Sequence, residues 1–367
     1  MKITLIQSNL LEALQRVVYI TNKNTTLPIL KNILLRVSKN TITFISTNLE
    51  LSVTSTLRGK IHEEGEITIP GRLFLEYIQL LPEDQVDIET EGQKILIACK
   101  NFHTTILGMS AEDFPLLPEL PKGEEVTFQT KLFREASASV LHAVAPDETR
   151  PEISGIFFRI EKGKMTLVAT DSYRLAEKKI LITQSPKEKK EIILPATSVQ
   201  ELSRILGDTS GEVKMIIGEN QVVVMTDVCT FTTRIIDGKY PDYEQVIPPN
   251  HKTRATIVVQ DLAKAVKGAS LFAPSGVNDI HLHFHPEKRE IEITAASGQV
   301  GENRIVVSGE VIGDENSIVF NWRYLMEGLD RIKTKEVVID IVNPTNPGVL
   351  RPKDDTNYTY LIMPIKQ

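Results

Sequence analysis

Three histidines stand at alternate positions, His281, His283 and His285. Alternate side chains on a β-strand share one face, so the imidazoles could form a column of nitrogen ligands for a metal such as zinc. No cysteine or carboxylate pattern accompanies them, and a solvated outer strand face is the preferred reading, so no metal site is expected. A second stretch, Ala169-Thr170-Asp171-Ser172-Tyr173-Arg174-Leu175-Ala176, gathers an acid, a base, hydroxyls and apolar residues. Asp171 and Arg174 could be a buried pair bracing a strand end. Alternatively the stretch is a pocket wall, with Thr170 and Tyr173 as polar edges and Leu175 as an apolar floor. A third set is basic: Arg16, Lys23, Arg72, Arg134, Arg204, Lys264, Lys267 and Arg331 lie on or beside helical segments. They are either solvated helix faces or a mildly positive lining. Without interleaved aromatics they do not make a base-stacking platform for single strands.

Chemistry of the covalent kind has little support. No G-x-G-x-x-G, P-loop, C-x-x-C, H-E-x-x-H or G-x-S-x-G occurs. A hydrolase or transferase centred on Asp171, Tyr173 and Arg174 is the enzymatic alternative, and it lacks a visible pairing of nucleophile and base. The expectation is a non-enzymatic protein without a cofactor.

The elements that position these residues repeat. Residues 32–48 fall without a gap on 155–171 at a shift of 123, and a third copy spans 279–297 with a longer turn. Each copy is a strand, a turn and a second strand with apolar residues at period two. A helix precedes each hairpin, over 8–20, 131–144 and 260–270, with apolar residues spaced by three and four. Ser8 and Thr130 are the expected N-caps. Each copy has a similar second half, with helices over 71–81, 196–206 and 322–332. Proline-containing polar stretches, 118–123 and 248–251, separate the copies. The expected class is α+β, with three tandem domains over 1–122, 123–250 and 251–367, each having two helices on antiparallel sheets.

Lys and Arg number 42 against 48 Asp and Glu, a net charge of −6 in 367 residues. A protein that grips nucleic acid with its whole surface would be basic, so any DNA contact must come from a local surface. Cys99 and Cys229 are expected to be reduced thiols in the cytoplasm. No charged leader followed by an apolar run is visible, and no apolar stretch approaches the roughly 18 residues that span a bilayer, so no membrane partner is expected.

Four features in order carry a resemblance over the whole chain: the triplicated domain, Ala169 to Ala176, Asp237-Gly238-Lys239-Tyr240-Pro241-Asp242-Tyr243, and Tyr360-Leu361-Ile362-Met363-Pro364-Ile365-Lys366. Together they resemble the β subunit of bacterial DNA polymerase III, the replicative sliding-clamp family. The resemblance implies sliding-clamp domains and a head-to-tail homodimeric ring around duplex DNA, acting as a processivity factor. It implies as partners the polymerase III α-type catalytic subunit, the clamp loader, and other polymerases and repair proteins with short clamp-binding motifs. These partners would share a peptide cleft between the second and third domains. Carried over to this sequence, the cleft comprises Ile153, Thr170, Ser172, Tyr173, Arg174, Leu175, Pro241, Val246, Leu361, Ile362, Met363, Pro364, Ile365 and Lys366, with contacts added by Asn321 and Tyr324. The DNA-facing residues would be Lys23, Arg72, Arg150, Arg204, Lys264 and Lys267. Ser172-Tyr173 stands where family members often carry Gly-His, which implies a differently shaped cleft rim. Gln245 stands where some carry a basic residue, so a charged peptide contact is not expected there.

Overall fold

The computed structural model describes residues 1–22, 27–146, 149–207, 211–274 and 276–366. In the first repeat the order is β1 (Lys2–Ile6), α1 (Gln7–Val17), β2 (Asn32–Ser38), β3 (Thr41–Thr47), β4 (Leu51–Leu57), β5 (Lys60–Glu63), β6 (Gly65–Pro70), α2 (Gly71–Leu80), β7 (Gln85–Glu91), β8 (Lys94–Cys99) and β9 (Phe102–Leu107). The second repeat has β10 (Glu124–Gln129), α3 (Thr130–Val140), β11 (Gly155–Glu161), β12 (Lys164–Thr170), β13 (Arg174–Leu181), β14 (Lys190–Pro195), α4 (Ala196–Leu206), β15 (Glu212–Ile217), β16 (Gln221–Met225) and β17 (Cys229–Arg234). The third has β18 (Thr253–Val258), α5 (Val259–Ser270), β19 (Asp279–His285), β20 (Glu290–Ser297), β21 (Gly301–Ser308), β22 (Glu310–Gly313), β23 (Asn316–Asn321), α6 (Trp322–Leu329), β24 (Glu336–Ile341), β25 (Gly348–Pro352) and β26 (Tyr358–Ile362).

The apolar spacing of the helices is spent on core contact. α1 buries Leu10, Ala13, Leu14 and Val17, and α5 buries Leu262, Ala265, Val266 and Ala269. Each fully buried leucine contributes about 1.5–3 kcal/mol. Ser8 is not a cap. α1 begins at Gln7, and its extended preceding residue Ile6 offers no side-chain acceptor. The Gln7 side chain donates instead to the Ile78 carbonyl of α2 at 2.8 Å, tying the two helices together. α3 stops at Val140 and passes into a 3-10 turn, short of the expected 144.

Strand pairing does not respect the repeat boundaries. The chain forms two compact units, one of residues 1–129 with 204–235, the other of 130–203 with 236–367. In the first unit an eight-stranded sheet runs β10-β15-β16-β17-β4-β3-β2-β6, beside a five-stranded sheet β5-β1-β7-β8-β9. In the second a nine-stranded sheet runs β14-β11-β12-β13-β26-β25-β24-β18-β22, beside a four-stranded sheet β21-β20-β19-β23. The central repeat therefore divides, each half adding its edge to a neighbouring repeat and covering what would otherwise be a bare strand. Among the described residues no helix is long and apolar enough to cross a membrane.

Candidate functional site: an apolar groove on the nine-stranded sheet

The residues of the Ala169–Ala176 stretch meet at the point where β13 joins β26. Thr170 ends β12 and Arg174 begins β13, and a tight turn reverses the chain between them. The turn holds itself together. Asp171 Oδ1 accepts the Tyr173 and Arg174 amides at 2.9 Å, and Thr170 Oγ1 donates to the Arg174 carbonyl at 2.6 Å. The Thr170 hydroxyl also accepts the Ser172 amide at 3.1 Å, so it serves the turn rather than a pocket edge. Ser172 sits at φ +75°, a left-handed conformation that favours glycine.

Alternation along β13 then sends neighbouring side chains to opposite faces. Arg174 goes to the helical side. Its Nε donates to Asp171 at 3.0 Å, a second nitrogen donates to Glu327 of α6, and its guanidinium lies 4.5 Å from the Tyr324 ring centroid. The braced Asp–Arg pair expected from composition is present, with both side chains at most one-tenth exposed. Leu175 goes to the other face. There it joins an apolar cluster with Ile153, Phe157, Val168, Ile193, Tyr240, Tyr243, Val349 and Leu361, and Met363, Ile236 and Ile247 pack on its margin.

The cluster is shaped by aromatic rings. Tyr240 stacks on Phe157 at 4.8 Å between centroids, and Tyr243 meets Phe157 edge-on. Tyr243 Oη donates to the buried Glu177 carboxylate at 2.8 Å, and Lys179 pairs with the same acid at 2.9 Å. Burial pushes the Tyr243 and Tyr240 phenols well above the ordinary value, so both stay neutral donors. Arg159 closes the far side, bonded to Glu191 and Glu244 with its guanidinium over Phe157 and Tyr243.

The rim is partly exposed apolar surface. Tyr173 is 63% exposed and Val246 42%. Pro241 is also exposed, and Met363, Pro364 and Ile365 are half-buried beside the exposed Lys366. The C-terminal segment is pinned by two backbone bonds, from the Met363 amide to the Tyr173 carbonyl at 2.8 Å and from the Ile365 amide to the Val319 carbonyl at 2.9 Å. Ile362 is buried opposite Arg174 in the ladder. Asn321 caps α6, its side chain accepting the Arg323 amide at 2.9 Å, while Tyr324 stacks on Tyr173 at 6.5 Å. An apolar trough with an adaptable methionine and few polar guides suits an extended or helical peptide better than a reacting substrate.

Several floor residues are absent from the cleft set carried over to the sequence: Phe157, Val168, Ile193, Tyr240, Tyr243 and Val349. For Phe157, Val168, Ile193 and Val349 the period-two spacing of their strands marks them as core, but it does not tell a groove floor from any other buried face.

The basic residues differ in what they are bonded to. Lys264 and Lys267 are exposed on α5, one turn apart. Arg72 is exposed on α2 and pairs with Glu76 at 2.9 Å. Arg204 is committed elsewhere: it donates to the Gln15 and Arg16 carbonyls at 2.9 and 3.0 Å, completing the end of α1, and lies 4.2 Å from the Tyr19 ring centroid. Arg150 belongs with the groove rim, donating to Ser172 Oγ at 3.2 Å and Glu152 at 3.1 Å. Lys23 lies outside the described residues.

His281, His283 and His285 do share the outer face of β19, with the first two rings stacked at 6.3 Å. His285 pairs with Glu315 at 2.9 Å, and burial lowers the affinity of His283 for a proton. Among the described residues no three such groups gather in a metal-holding arrangement.

Comparison with known proteins agrees with this geometry over the full length. Models of the N-terminal, central and C-terminal domains of the DNA polymerase III beta subunit match residues 1–118, 127–242 and 244–366. A beta sliding clamp of Staphylococcus epidermidis is 29% identical over 352 residues, 93% of each chain. The crystal structure of the DNA polymerase sliding clamp from Bacillus subtilis superposes with a TM-score of 0.95 at 28% identity, covering 100% of this chain and 99% of that one. A sliding clamp of Pseudomonas aeruginosa bound to griselimycin gives 0.95 at 27% identity, covering both chains fully.

Proposed function

The chain belongs to the DNA polymerase III beta subunit family, the replicative sliding clamps, and on that premise we propose how it encircles DNA and recruits its partners. It is a processivity factor of DNA replication, a non-catalytic protein that works with DNA, a polymerase and a second copy of itself.

One observation carries the ring: the chain makes the same strand junction twice. β4 pairs with β17, placing Val53 opposite Phe231, and β13 pairs with β26, placing Ala176 opposite Tyr360. Repeat equivalence makes Asn303 on β21 the counterpart of Val53 and Ala176. It makes Thr104 on β9 the counterpart of Phe231 and Tyr360. β9 and β21 are both edge strands of their sheets. A third junction of the same kind can form between two copies, with β21 of one along β9 of the other. In that register Asn303 faces Thr104, and Ile305 faces Phe102, which is 44% exposed in the single chain. Two such junctions related by a two-fold axis close a ring and cover both open edges.

A closed ring holds DNA by topology, so tight phosphate contacts are unnecessary and would resist sliding. Exposed Lys264, Lys267 and Arg72 supply a mild positive lining, consistent with the net charge of −6. Arg204, fixed to α1, contributes its charge without a free side chain, and Arg150 serves the groove. The groove around Leu175, Leu361 and Met363 receives apolar anchors of the polymerase III α-type catalytic subunit, and in turn of the clamp loader and of repair proteins with short motifs. This work is done in the cytoplasm, where a bacterial chromosome lies. The domain limits 1–122, 123–250 and 251–367 mark the repeats of this ring.

The test is retention on DNA. After loading with a cognate clamp loader and ATP, the protein is expected to stay on circular duplex through a high-salt wash. It should leave once the circle is cut. Equal retention on cut and intact DNA would mean binding by contact and would remove the ring.

A further inference from the structure

The outer face of the nine-stranded sheet changes character along a single row of paired residues. Leu175 faces Leu361, Leu361 faces Val349, Val349 faces Asp340, and Asp340 faces Arg254. The first three form the groove floor. The next two open into a cavity of about 260 Å³ lined by Pro248, His251, Arg254, Asp340, Val349 and Arg351. Val349, 2% exposed, belongs both to the apolar cluster and to the cavity wall, so the two adjoin at this residue.

The cavity is cationic. Arg254 Nε and Nη2 donate to the two Asp340 oxygens at 2.6 and 2.9 Å, and Arg351 Nη1 donates to Asp340 Oδ2 at 2.9 Å. His251 Nδ1 stands 3.8 Å from the same carboxylate. Asp340 is 6% exposed, whereas the Arg254 and Arg351 side chains remain 39% and 31% exposed. Two guanidiniums thus share one buried acid, leaving one positive charge in excess. Among the described residues, Arg254 Nη1 and Arg351 Nη2 have no protein acceptor. A second carboxylate would balance the cluster and take those donors in charge-assisted bonds.

We propose that this cavity is a second subsite of the peptide groove, which takes an acidic side chain of the bound partner segment. The inference rests on the groove being a peptide site. Strands lie about 4.8 Å apart, so Asp340 and Arg254 stand two and three strand steps from Leu361, about 10–14 Å away. An extended peptide advances about 3.3 Å per residue. An aspartate or glutamate three or four residues from the apolar anchor therefore reaches the cavity while the anchor stays in the groove. The subsite selects partners by charge placement, where the groove alone selects only for apolar bulk.

The test uses fluorescein-labelled ten-residue peptides, each carrying one Leu-Phe anchor in a Ser/Ala background. Either Asp or Asn is stepped from one to seven residues away on either side, and binding to the full-length protein is read by anisotropy. An affinity gain of roughly tenfold for Asp over Asn is expected at a spacing of three or four, as for one charge-assisted contact at a partly exposed site. The gain should shrink with added salt. Arg254→Gln and Arg351→Gln should abolish the gain while leaving the Asn peptides unaffected. Asp340→Asn should enlarge it by releasing both guanidiniums, a change of opposite sign that loss of folding cannot imitate. Equal binding of Asp and Asn peptides at every spacing would overturn the subsite and leave the groove standing. Failure of every peptide to bind would overturn the groove and the subsite together.

Discussion

Two regions occupy equivalent places in the repeat, and only one is a groove. At the β4–β17 junction the outer cross-strand pair is Ser52 with Thr232; at the β13–β26 junction it is Leu175 with Leu361. The neighbouring clusters are related in the same way. Leu30, Leu34, Ile45 and Phe114 form a small patch at the first junction, and their counterparts Ile153, Phe157, Val168 and Tyr240 belong to the larger one. Even the turns match. Asn48 Oδ1 accepts the Glu50 and Leu51 amides as Asp171 Oδ1 accepts those of Tyr173 and Arg174, and Leu49 and Ser172 both sit at φ +75°. The backbone is a shared frame, and a few side chains on it decide whether a junction carries a polar seam or a large apolar cluster.

Transplanting the seam should weaken peptide binding most. Leu175→Ser with Leu361→Thr reproduces the first junction in the second and removes two apolar anchors from the groove floor. Affinity for a Leu-Phe peptide should fall on the order of a hundredfold, read by anisotropy, while circular dichroism remains native.

The turns give the next contrast. Asn48→Ala removes two turn bonds and should cost about 1 kcal/mol. Asp171→Ala also takes a partner from the nearly buried Arg174 and should cost about 2–3 kcal/mol. Asp171→Asn, which keeps the turn acceptor, should recover part of the difference in denaturant melts. Equal losses for Asn48→Ala and Asp171→Ala would show that the ion pair adds nothing.

A third contrast depends on pH. The first repeat has the half-exposed Tyr19 where the second has His142. His142 lies 5.2 Å from the Tyr360 ring, and both its nitrogens are buried without a protein partner. Burial, helped by Arg174 and Arg331, pushes its pKa from 6.5 down to about 3. The unfolded chain therefore takes up the proton first. The stability associated with the neutral ring is complete above about pH 6.5 and is lost as pH falls towards 3. His142→Phe should flatten that part of the profile, gaining about 2 kcal/mol on wild type at pH 4.5 relative to pH 7. A pH profile parallel to wild type would exclude His142 as the cause.

The smallest effect concerns the shared left-handed residue. Leu49→Gly and Ser172→Gly should each change stability by less than about 1 kcal/mol, since relief of φ strain is offset by the added freedom of the unfolded chain. Similar shifts in thermal melting are expected at the two sites. A much larger loss at Ser172 would mean that its bond from Arg150 braces the rim.

Much of this could be read in the chain. Periodicity located six helices, and self-similarity at a shift of 123 located the hairpins, because side-chain spacing is set locally by helix and strand geometry. The braced pair of Asp171 and Arg174 was legible because its members lie three residues apart. Ser8 was misread as a cap because the choice of first helical residue was decided by Gln7 reaching across to α2, a contact 71 residues away. Arg204 and Arg150 share a group with Lys264 and Lys267 because charge is visible in sequence, whereas the partner of a charge is not.

The repeat, the α+β class and the apolar faces are all written in the chain, because they follow from short-range patterns. Long-range packing settles the rest: the central repeat splits between two sheets, Leu175 faces the apolar cluster while Arg174 turns to the helices, and Arg254 and Arg351 converge on Asp340. These depend on strand register between segments as far apart as residues 174 and 362. Register follows from the joint packing of a whole sheet face, which no local spacing encodes.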